Sequence, residues 1–341
     1  MRLLALSTLA AVALLWAPAD AQTLAQVFKR VSPSVVVVRT RQKEVAASGQ
    51  GREVSVSGVG SGVLISADGS VMTAAHVVHT ADAITVEFLG GETVGARVVA
   101  SEPEADVSLL QLERVPAGAQ VASLGDSDRV EVGDQVFIVG APYGIGHTLS
   151  VGHISARHKP NTVYSGMSLA EFLQTDAAIN QGNSGGPMFS MSGAVIGIVS
   201  HIISKSGGFE GLGFVVTANM ARRLLLEQKS FWSGLDGYLL WGDLARVFNL
   251  PQPVGLLVQR VAERSPAALV GLRGGTMRAT IEGQALIVGG DVILAVDGIP
   301  VESRATYERM QERLSRLPSG APVTVTVLRE GRQLQLVGRV P

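Results

Sequence analysis

A serine within a glycine-rich segment is the residue of this sequence best suited to nucleophilic chemistry. Ser184 lies in Gln-Gly-Asn-Ser-Gly-Gly-Pro, residues 181–187. A serine hydroxyl is a weak nucleophile until a base removes its proton, and acyl transfer also needs backbone N–H groups directed at the developing oxyanion. Glycines on both sides let the backbone adopt conformations that a side chain would block. The segment is typical either of an oxyanion-hole loop or of an ordinary glycine turn.

Two other segments carry the residue types that would activate such a serine. His76 follows the small and apolar run 71–75, and Asp106 directly precedes the largely apolar run 107–112. A histidine is the usual base for a serine nucleophile, and a carboxylate fixes the tautomer of that histidine. Taken singly, each has a structural alternative, a hydrogen-bonded histidine or an acid that caps a strand. Together, the chain order histidine, aspartate, serine is that of chymotrypsin-type triads and differs from the α/β-hydrolase order.

The elements that must position these residues are short β runs separated by turn residues. Between residues 35 and 202 the runs are 35–38, 62–66, 84–88, 107–112, 135–139 and 194–199. This spacing predicts an antiparallel barrel or sandwich. The polar, glycine-containing stretch 41–59 predicts a flexible loop, and a helix is expected over 219–228.

The pattern changes between residues 229 and 236, where Phe-Trp-Ser-Gly interrupts the helical run. The segment that follows mixes strands and helices, with a short helix from Ser265, a strand at 291–296, an amphipathic helix at 304–317 and a hairpin at 323–337. We therefore expect a second, α+β domain after the mainly β part of the chain.

Composition narrows the function classes. The 341 residues include 40 glycines and no cysteine, and the formal net charge is −1. A chain with this charge lacks the basic footprint of nucleic-acid-binding proteins, so we expect no nucleic-acid partner. The lack of cysteine excludes disulfides, thiol nucleophiles and cysteine-based zinc sites. We expect neither a metal nor a cofactor.

The N-terminal residues 1–21 have the three parts of an export signal. Arg2 is basic, residues 3–16 form an apolar run, and Ala-Asp-Ala at 19–21 is a small-residue cleavage site. The alternative is an uncleaved membrane anchor, but the run is shorter than the roughly 20 apolar residues that a span requires. We expect cleavage before Gln22, no stable membrane span in the mature chain, and a periplasmic location.

The motifs around these residues resemble those of the HtrA (Deg) serine proteases, which combine a trypsin-like protease domain with C-terminal PDZ domains. The matching motifs are Gly-Ser-Gly-Val at 60–63, Thr-Ala-Ala-His-Val-Val at 73–78, Ala-Asp-Val at 105–107, Gly-Ala-Pro-Tyr-Gly at 140–144, Gln-Thr-Asp-Ala-Ala-Ile-Asn at 174–180, Gly-Leu-Gly-Phe at 211–214 and Asn-Met at 219–220. The resemblance implies a signal peptide at 1–21, a chymotrypsin-like double β-barrel protease domain at 22–232 and an α+β PDZ domain at 236–341.

The same resemblance implies a role for each site residue. Ser184 is expected to be the nucleophile, His76 the general base and then acid, and Asp106 the carboxylate that orients His76. Gly182, Asn183 and Ser184 are expected to form the oxyanion-hole loop. The residues that match the family's S1 pocket, Ile179 and Leu212, are apolar, so small aliphatic P1 residues are expected. The region 153–172 resembles the loop through which the family senses activating peptides.

The PDZ half departs from the family pattern at two places. The strand expected to bind peptide C-termini includes Tyr238, Leu239 and Leu240, and Leu240 stands where relatives usually have glycine, which puts such binding in doubt. Met310 and Leu314, at i, i+4 spacing on the helix 304–317, either face this groove or belong to the core. Residues 274–288 form an insertion that reads as a hairpin turning at 282–283. The segment 211–214 spells a PDZ-like motif, but it lies in the protease half.

These expectations favour an ATP-independent serine endopeptidase that degrades misfolded or unfolded exported proteins. No P-loop pattern is present, so nucleotide-driven unfolding is not expected. One alternative is a chaperone-like or sensor protein that binds peptides and rarely cleaves them. Another is a regulatory protease with one dedicated client. The resemblance also implies a homotrimer.

Overall fold

The computed structural model describes residues 22–46, 52–163, 167–318 and 320–339. The export signal expected at 1–21 lies outside these residues. The helices of the described ranges are α1 (Leu24–Val31), α2 (Ala75–Val78), α3 (Ala218–Arg222, continued by a π-helical turn at Arg223–Glu227), α4 (Asp243–Val247), α5 (Pro266–Val270) and α6 (Arg304–Arg316). No helix of the described residues combines the length and the apolar character that crossing a bilayer requires.

The strands of the protease half are β1 (Val35–Val45), β2 (Glu53–Leu64), β3 (Ser70–Thr73), β4 (Ala83–Glu87), β5 (Thr93–Glu102), β6 (Val107–Leu112), β7 (Gln135–Gly140), β8 (Thr148–His158), β9 (Phe172–Thr175), β10 (Pro187–Ser190), β11 (Val195–Ile202) and β12 (Gly213–Thr217). They close into two six-stranded antiparallel barrels, in the orders β1-β2-β3-β6-β5-β4 and β10-β11-β12-β9-β8-β7. The predicted double-barrel architecture is therefore confirmed.

The prediction of a flexible loop at 41–59 is wrong for most of that stretch. β1 and β2 pair as an antiparallel ribbon from Val35 opposite Val63 to Val45 opposite Glu53. Most side chains of β2 from Glu53 to Ser57 are exposed, because the ribbon extends past the barrel wall. Backbone pairing joins the two strands here without a core beneath β2, so the sequence of β2 lacks the apolar alternation that marks a half-buried strand.

Two cores fill the barrels, and a third lies between them. Val36, Leu64 and Leu110 belong to the core of the first barrel, and Ile138 and Leu173 to that of the second. The core between the barrels includes Val35, Met72, Val107, Phe137, Phe172, Phe189 and Phe214. Because His76, Asp106 and Ser184 border this interface, the packing of the two barrels sets their relative positions.

The segment 211–214 runs into the second barrel. Its last two residues begin β12, which pairs with β9 on one side and β11 on the other. Both edges of β12 are thereby satisfied within the barrel, so the strand is not available to a neighbouring domain.

The C-terminal part is an α+β unit around one antiparallel sheet. Its strands are β13 (Leu235–Trp241), β14 (Val254–Val261), β15 (Met277–Ile281), β16 (Gln284–Val288), β17 (Val292–Val296), β18 (Ile299–Pro300), β19 (Pro322–Arg329) and β20 (Arg332–Arg339). The sheet has the order β13-β14-β17-β19-β20, and β18 pairs with β17. β15 and β16 form a separate hairpin in which Ile281 faces Gln284, which confirms the hairpin predicted for the insertion.

Polar contacts join this unit to the first barrel. The indole N–H of Trp232 donates to the carbonyl of His79 at 2.9 Å, and Nε2 of His79 donates to the carbonyl of Leu235 at 2.9 Å. Arg278 of the inserted hairpin donates to a carboxylate oxygen of Glu44 at 2.9 Å and to the carbonyl of Val45 at 2.8 Å. The insertion thus attaches to the far end of the β1–β2 ribbon.

Candidate active site

Short turns at the ends of strands present the histidine and the aspartate. β3 ends at Thr73, and His76 is the second residue of the one-turn helix α2 that follows. Asp106 follows the 3₁₀ turn Pro103–Ala105 and has left-handed backbone angles, φ 53° and ψ 42°. Aspartate tolerates this region better than most residues. The left-handed turn directs the carboxylate towards α2 just before β6 begins.

Asp106 holds His76 through both its side chain and its backbone. Nδ1 of His76 lies 2.9 Å from Oδ2 and 3.0 Å from Oδ1 of Asp106, and the backbone N–H of His76 donates to Oδ1 at 3.0 Å. An ionised carboxylate only accepts hydrogen bonds, so Nδ1 carries the proton. The lone pair of a neutral His76 is therefore on Nε2, the nitrogen that a general base would use.

Burial and charge act in opposite directions on this pair. Burial favours the neutral form of Asp106, but the charge of His76 and the hydrogen bonds from His76 and Ser200 outweigh it and hold the pKa of Asp106 below its ordinary value. Burial likewise disfavours the imidazolium of His76, yet the charge and hydrogen bond of Asp106 raise the pKa of His76 above its ordinary value. The pair is thus built to stabilise a proton on His76.

Ser200 is a site residue that the sequence interpretation missed. Its hydroxyl donates to Oδ2 of Asp106, and its backbone carbonyl accepts a hydrogen bond from the hydroxyl of Ser184 at 3.3 Å. Ser200 belongs to the buried strand β11, and a serine near the end of an apolar strand carries no signal of its own. Only the closure of the second barrel brings it to Asp106.

The loop that carries Ser184 needs glycine at specific positions. Gly182 has φ +101°, and a Cβ there would lie 2.4 Å from the carbonyl oxygen of Ala141 and 2.7 Å from the nitrogen of Tyr143. Gly185 has φ +82°, and a Cβ there would lie 2.2 Å from Oγ1 of Thr73. All three distances are far below van der Waals contact, so a side chain at either position would force the loop to move. This geometry favours the oxyanion-hole interpretation over a plain turn.

Two N–H groups of this loop are left for a ligand. The carbonyl of Gln181 accepts from the N–H of Tyr143 at 2.8 Å, and in a trans peptide this turns the N–H of Gly182 to the opposite side. Among the hydrogen bonds of the described residues, none uses the N–H of Gly182 or that of Ser184 as donor. Two free donors separated by one residue are what an oxyanion hole requires.

Asn183, unlike Gly182 and Ser184, uses its backbone N–H within the loop. Its backbone N–H donates to the carbonyl of Asn180 at 3.0 Å, so it is not directed at a substrate. Its carbonyl accepts from the N–H of Gly186 at 2.9 Å, and its side chain is buried against Gly140. We therefore restrict the candidate oxyanion donors to Gly182 and Ser184, because the N–H of Asn183 is used within the loop.

The hydroxyl of Ser184 does not yet point at the base. It donates to the carbonyl of Ser200, and none of the hydrogen bonds within the described ranges joins it to Nε2 of His76. A rotation about the Cα–Cβ bond of Ser184 is the movement that would bring the two together. Hydrogen bonds between catalytic groups often form only when substrate is bound.

Ser61 of β2 connects the two barrels at the site. Its N–H donates to the carbonyl of Ser184 at 2.7 Å, and its hydroxyl donates to the carbonyl of Gly182 at 2.7 Å. The same hydroxyl accepts from the N–H of Ala141 at 3.0 Å. Ser61 was part of the motifs that carried the resemblance, but the sequence did not indicate this role.

The two residues expected to shape the S1 pocket lie on neighbouring segments. Ile179 is buried, and its Cδ1 would be 2.7 Å from a Cβ at Gly213, the residue after Leu212. Leu212 is exposed over 37% of its surface. A side chain at Gly213 would collide with Ile179, so the two segments pack closely against each other. The S1 role expected for Ile179 and Leu212 remains a prediction.

The region expected to act as a sensor loop ends beside the turn that leads to Asp106. The N–H of Leu169 donates to the carbonyl of Glu104 at 3.2 Å, and the hydroxyl of Ser168 donates to the carboxylate of Glu104. Glu104 lies in the turn that leads to Asp106. Residues 164–166 of this region lie outside the described part of the chain.

Comparisons with known proteins agree with the fold. Residues 60–198 match the family of trypsin-like peptidase domains, and residues 211–337 match the PDZ domain family. A solved structure of the HtrA-type protease AlgW with a tripeptide superposes with a TM-score of 0.54 at 31% identity, over 94% of this chain and 98% of AlgW. The chain belongs to the HtrA family of serine proteases. The predicted family is thereby confirmed.

Curated members of the HtrA family extend beyond this chain. A DegP-like periplasmic serine endoprotease of Pseudomonas putida strain GB-1 is 37% identical over 249 residues, which are 71% of this chain and 51% of that protein. The periplasmic pH-dependent serine endoprotease DegQ of Escherichia coli K12 is 32% identical over 79% of this chain and 56% of its own length. The chain therefore spans about half the length of these relatives. Their naming as serine endoproteases agrees with the predicted enzyme class.

The two departures of this HtrA chain in its PDZ part prove to be one feature. Leu240, at the usual glycine position, is fully buried and packs in one cluster with Leu286 and Val288 of the inserted hairpin. Tyr238 borders the same cluster. A buried leucine side chain contributes about 1.5–3 kcal/mol through the hydrophobic effect. Leu240 and the hairpin therefore stabilise each other, and the side chain of Leu240 does not line a groove.

The opposite face of β13 carries the second core of the PDZ unit. Met310 of α6 is buried there, which favours the core alternative for this residue over the peptide groove. Leu239 and Leu314 are partly buried against the same core. Leu314 also borders an apolar cavity of about 80 Å³ beside Leu235. The carboxylate-binding role expected for residues 238–240 remains a prediction.

Proposed function

We propose that this chain is an ATP-independent serine endopeptidase of the periplasm that cleaves misfolded or unfolded exported proteins. The observation that carries the proposal is the combination of a paired His76 and Asp106 with two unused N–H groups beside Ser184. The periplasmic location is supported by the names of the curated relatives. Lack of a nucleotide-binding motif supports independence from ATP.

The proposed reaction follows from the positions of these groups. Nε2 of His76 accepts the proton of the Ser184 hydroxyl as the oxygen attacks the scissile carbonyl. The N–H groups of Gly182 and Ser184 stabilise the oxyanion of the tetrahedral intermediate. His76 then protonates the leaving amine, and a water molecule activated by the same nitrogen hydrolyses the acyl-enzyme. Asp106 stays ionised and stabilises the imidazolium.

The expected substrates are extended polypeptides with a small aliphatic residue at P1. Ile179 and Leu212 are apolar, and neither carries the charge needed to pair with a lysine or arginine side chain. We also propose that the protease parts assemble into a homotrimer, as the family resemblance implies. The mass of the chain in solution, measured by light scattering, tests the trimer independently of activity.

Cleavage of casein without ATP tests the central proposal. The chain beginning at Gln22 is expected to degrade casein, with cuts after valine, alanine or leucine, and the Ser184→Ala variant is expected to bind casein without cutting it. Cleavage by both proteins would mean that Ser184 is not the nucleophile. Binding by both with cleavage by neither, even after addition of peptide ligands, would favour the chaperone-like alternative.

A further inference from the structure

A second histidine lies next to the triad and has no part in the proposed reaction. The ring of His201 stacks on Phe214 with centroids 5.2 Å apart and an interplanar angle of 13°. It meets Phe172 edge-on, also at 5.2 Å. Nδ1 of His201 lies 2.9 Å from the hydroxyl oxygen of Ser200. The ring is therefore held by two aromatic partners with one nitrogen directed at a residue that contacts Asp106.

A β-bulge explains how two consecutive side chains reach the same place. The register between β11 and β12 shifts between Val199, which faces Val215, and His201, which faces Phe214. In a regular strand, consecutive side chains point to opposite faces. A bulge removes this alternation locally and can redirect a side chain. Ser200 and His201 can therefore form a hydrogen bond with each other although they are neighbours on a strand.

The direction of each hydrogen bond follows from a count of protons. The carboxylate of Asp106 is ionised and only accepts, so the single hydroxyl proton of Ser200 is donated to Asp106. The Ser200 oxygen can then interact with Nδ1 of His201 only as an acceptor. His201 must carry its proton on Nδ1 and donate it to Ser200. The result is a directed chain of hydrogen bonds from His201 through Ser200 to Asp106.

The charge state of His201 fits this arrangement. Burial lowers the pKa of His201 to about 4, although the nearby carboxylate of Asp106 acts in the opposite direction. The ring is thus neutral near neutral pH and has a single N–H. A neutral donor orients Ser200 without adding a positive charge that would oppose protonation of His76.

We infer that His201 is a positioning residue of the active site, which orients the Ser200 hydroxyl and through it the carboxylate of Asp106. Because the N–H of His201 donates to the Ser200 oxygen, it favours the rotamer in which the hydroxyl proton of Ser200 faces Asp106. This inference rests on the proposed peptidase function, and it adds a residue that the three-residue triad does not include.

Two substitutions of His201 separate the effect of its hydrogen bond to Ser200 from the effect of its ring packing. His201→Phe keeps an aromatic ring between Phe172 and Phe214 but removes Nδ1–H. His201→Asn gives up the stacking but places an amide N–H near the position of Nδ1. If the inference holds, His201→Phe lowers kcat about fivefold, as expected for the loss of one neutral hydrogen bond, with KM changed less than about twofold. His201→Asn is expected to recover most of kcat.

A double-mutant cycle shows whether the effect passes through Ser200. In a Ser200→Ala background, adding His201→Phe is expected to change kcat less than about twofold, because the acceptor of the hydrogen bond is already gone. An equal fall of kcat in both backgrounds would overturn the inference. So would His201→Asn and His201→Phe variants that are equally slow while both keep the wild-type melting temperature.

A spectroscopic readout separates this inference from the proposed function. The low-field proton resonance of the hydrogen bond between His76 and Asp106 is recorded by NMR in the Ser184→Ala background, where cleavage plays no part. His201→Phe is expected to shift or broaden this resonance, and His201→Asn to leave it near its original position. An unchanged resonance in His201→Phe would contradict the positioning role even if the chain is a peptidase. Lack of casein cleavage by the wild type would instead contradict the proposed function.

Discussion

The two barrels contribute unequal halves to the site. In the first barrel, Asp106 accepts hydrogen bonds from the ring and the backbone of His76, and a further one from Ser200 of the second barrel. In the second barrel, the loop at 180–185 leaves the N–H groups of Gly182 and Ser184 without an acceptor, and the Ser184 hydroxyl is turned towards Ser200. In the proposed mechanism, His76 is therefore positioned before substrate arrives, whereas the Ser184 hydroxyl and the two N–H groups would take up their roles when substrate binds.

This difference has a physical reason. A buried carboxylate is costly unless its acceptors are filled, so the half of the site that contains Asp106 must be satisfied in the free protein. The unused N–H groups of the Ser184 loop carry no formal charge, so leaving them without an acceptor costs less than leaving a buried carboxylate unpaired. Substitutions in the two halves should therefore have different consequences, and the predictions below test this.

The largest fall in kcat is expected from a substitution of Asp106, the carboxylate that holds His76. Asp106→Asn removes the charge and lets the amide fix His76 in the wrong tautomer, so kcat for a peptide substrate should fall by about 10,000-fold. Steady-state kinetics measure the loss, with casein binding as a check on folding. Asp68→Asn, on an exposed turn, is the control and should leave kcat unchanged. A fall of less than about tenfold in Asp106→Asn would contradict the assigned role.

A smaller fall in kcat is expected from a substitution in the loop that carries the proposed oxyanion donors. In Gly182→Ala the added Cβ would meet the backbone of residues 141 and 143, so the loop must move and the N–H of Gly182 loses its direction. Loss of one oxyanion donor lowers kcat by about 100- to 1,000-fold. Gly207→Ala is the matched control, because Gly207 also has positive φ, +85°, but no atom within 4 Å of the added Cβ. Equal losses in the two variants would mean that backbone strain, and not the hole, is responsible.

The smallest effect concerns the pH dependence of the intact site. His76 must be neutral to act as a base, and the pKa of His76 is raised through Asp106 in spite of burial. The acid limb of kcat/KM should therefore lie above about 6.5, the ordinary histidine value. An NMR titration of His76 in Ser184→Ala gives the same pKa without turnover. A limb well below that ordinary value would mean that burial outweighs the carboxylate.

The pKa shifts of His76 and Asp106 also make the stability of the fold depend on pH. Because the pKa of His76 is raised on folding, its protonated form adds stability that is complete below the ordinary histidine pKa and is lost as pH rises through the folded value. Because the pKa of Asp106 is lowered, its contribution is present above the ordinary aspartate pKa and is lost as pH falls through the folded value. The two contributions are lost in different pH ranges, so melting temperatures of the wild type measured from acid to neutral pH would distinguish them.

Local chemistry made much of the site predictable. Three signals can each be read from a few neighbouring residues: glycines around Ser184, small residues before His76, and an acid before an apolar strand. The order of these residues along the chain then restricted the possible architectures. Short apolar runs with glycine turns indicated an antiparallel barrel or sandwich, because a strand that lines a core must alternate or be continuously apolar. The ribbon formed by residues 41–45 and 53–59 escaped this reasoning, since it is held by backbone hydrogen bonds outside the core.

Tertiary structure alone decided which distant residues meet. The residue pattern by itself determined the residue types of the candidate triad, an antiparallel barrel or sandwich and the hairpin of the insertion, and the double barrel came from the family resemblance. It carried no signal that Ser200 and His201 would reach Asp106, because that contact spans 94 residues and depends on a bulge and on the closure of the second barrel. It likewise marked Leu240 and the insertion as separate departures, and only packing joined them in one core. Local patterns encode backbone preference and chemistry, whereas contacts between distant segments arise from how the elements pack.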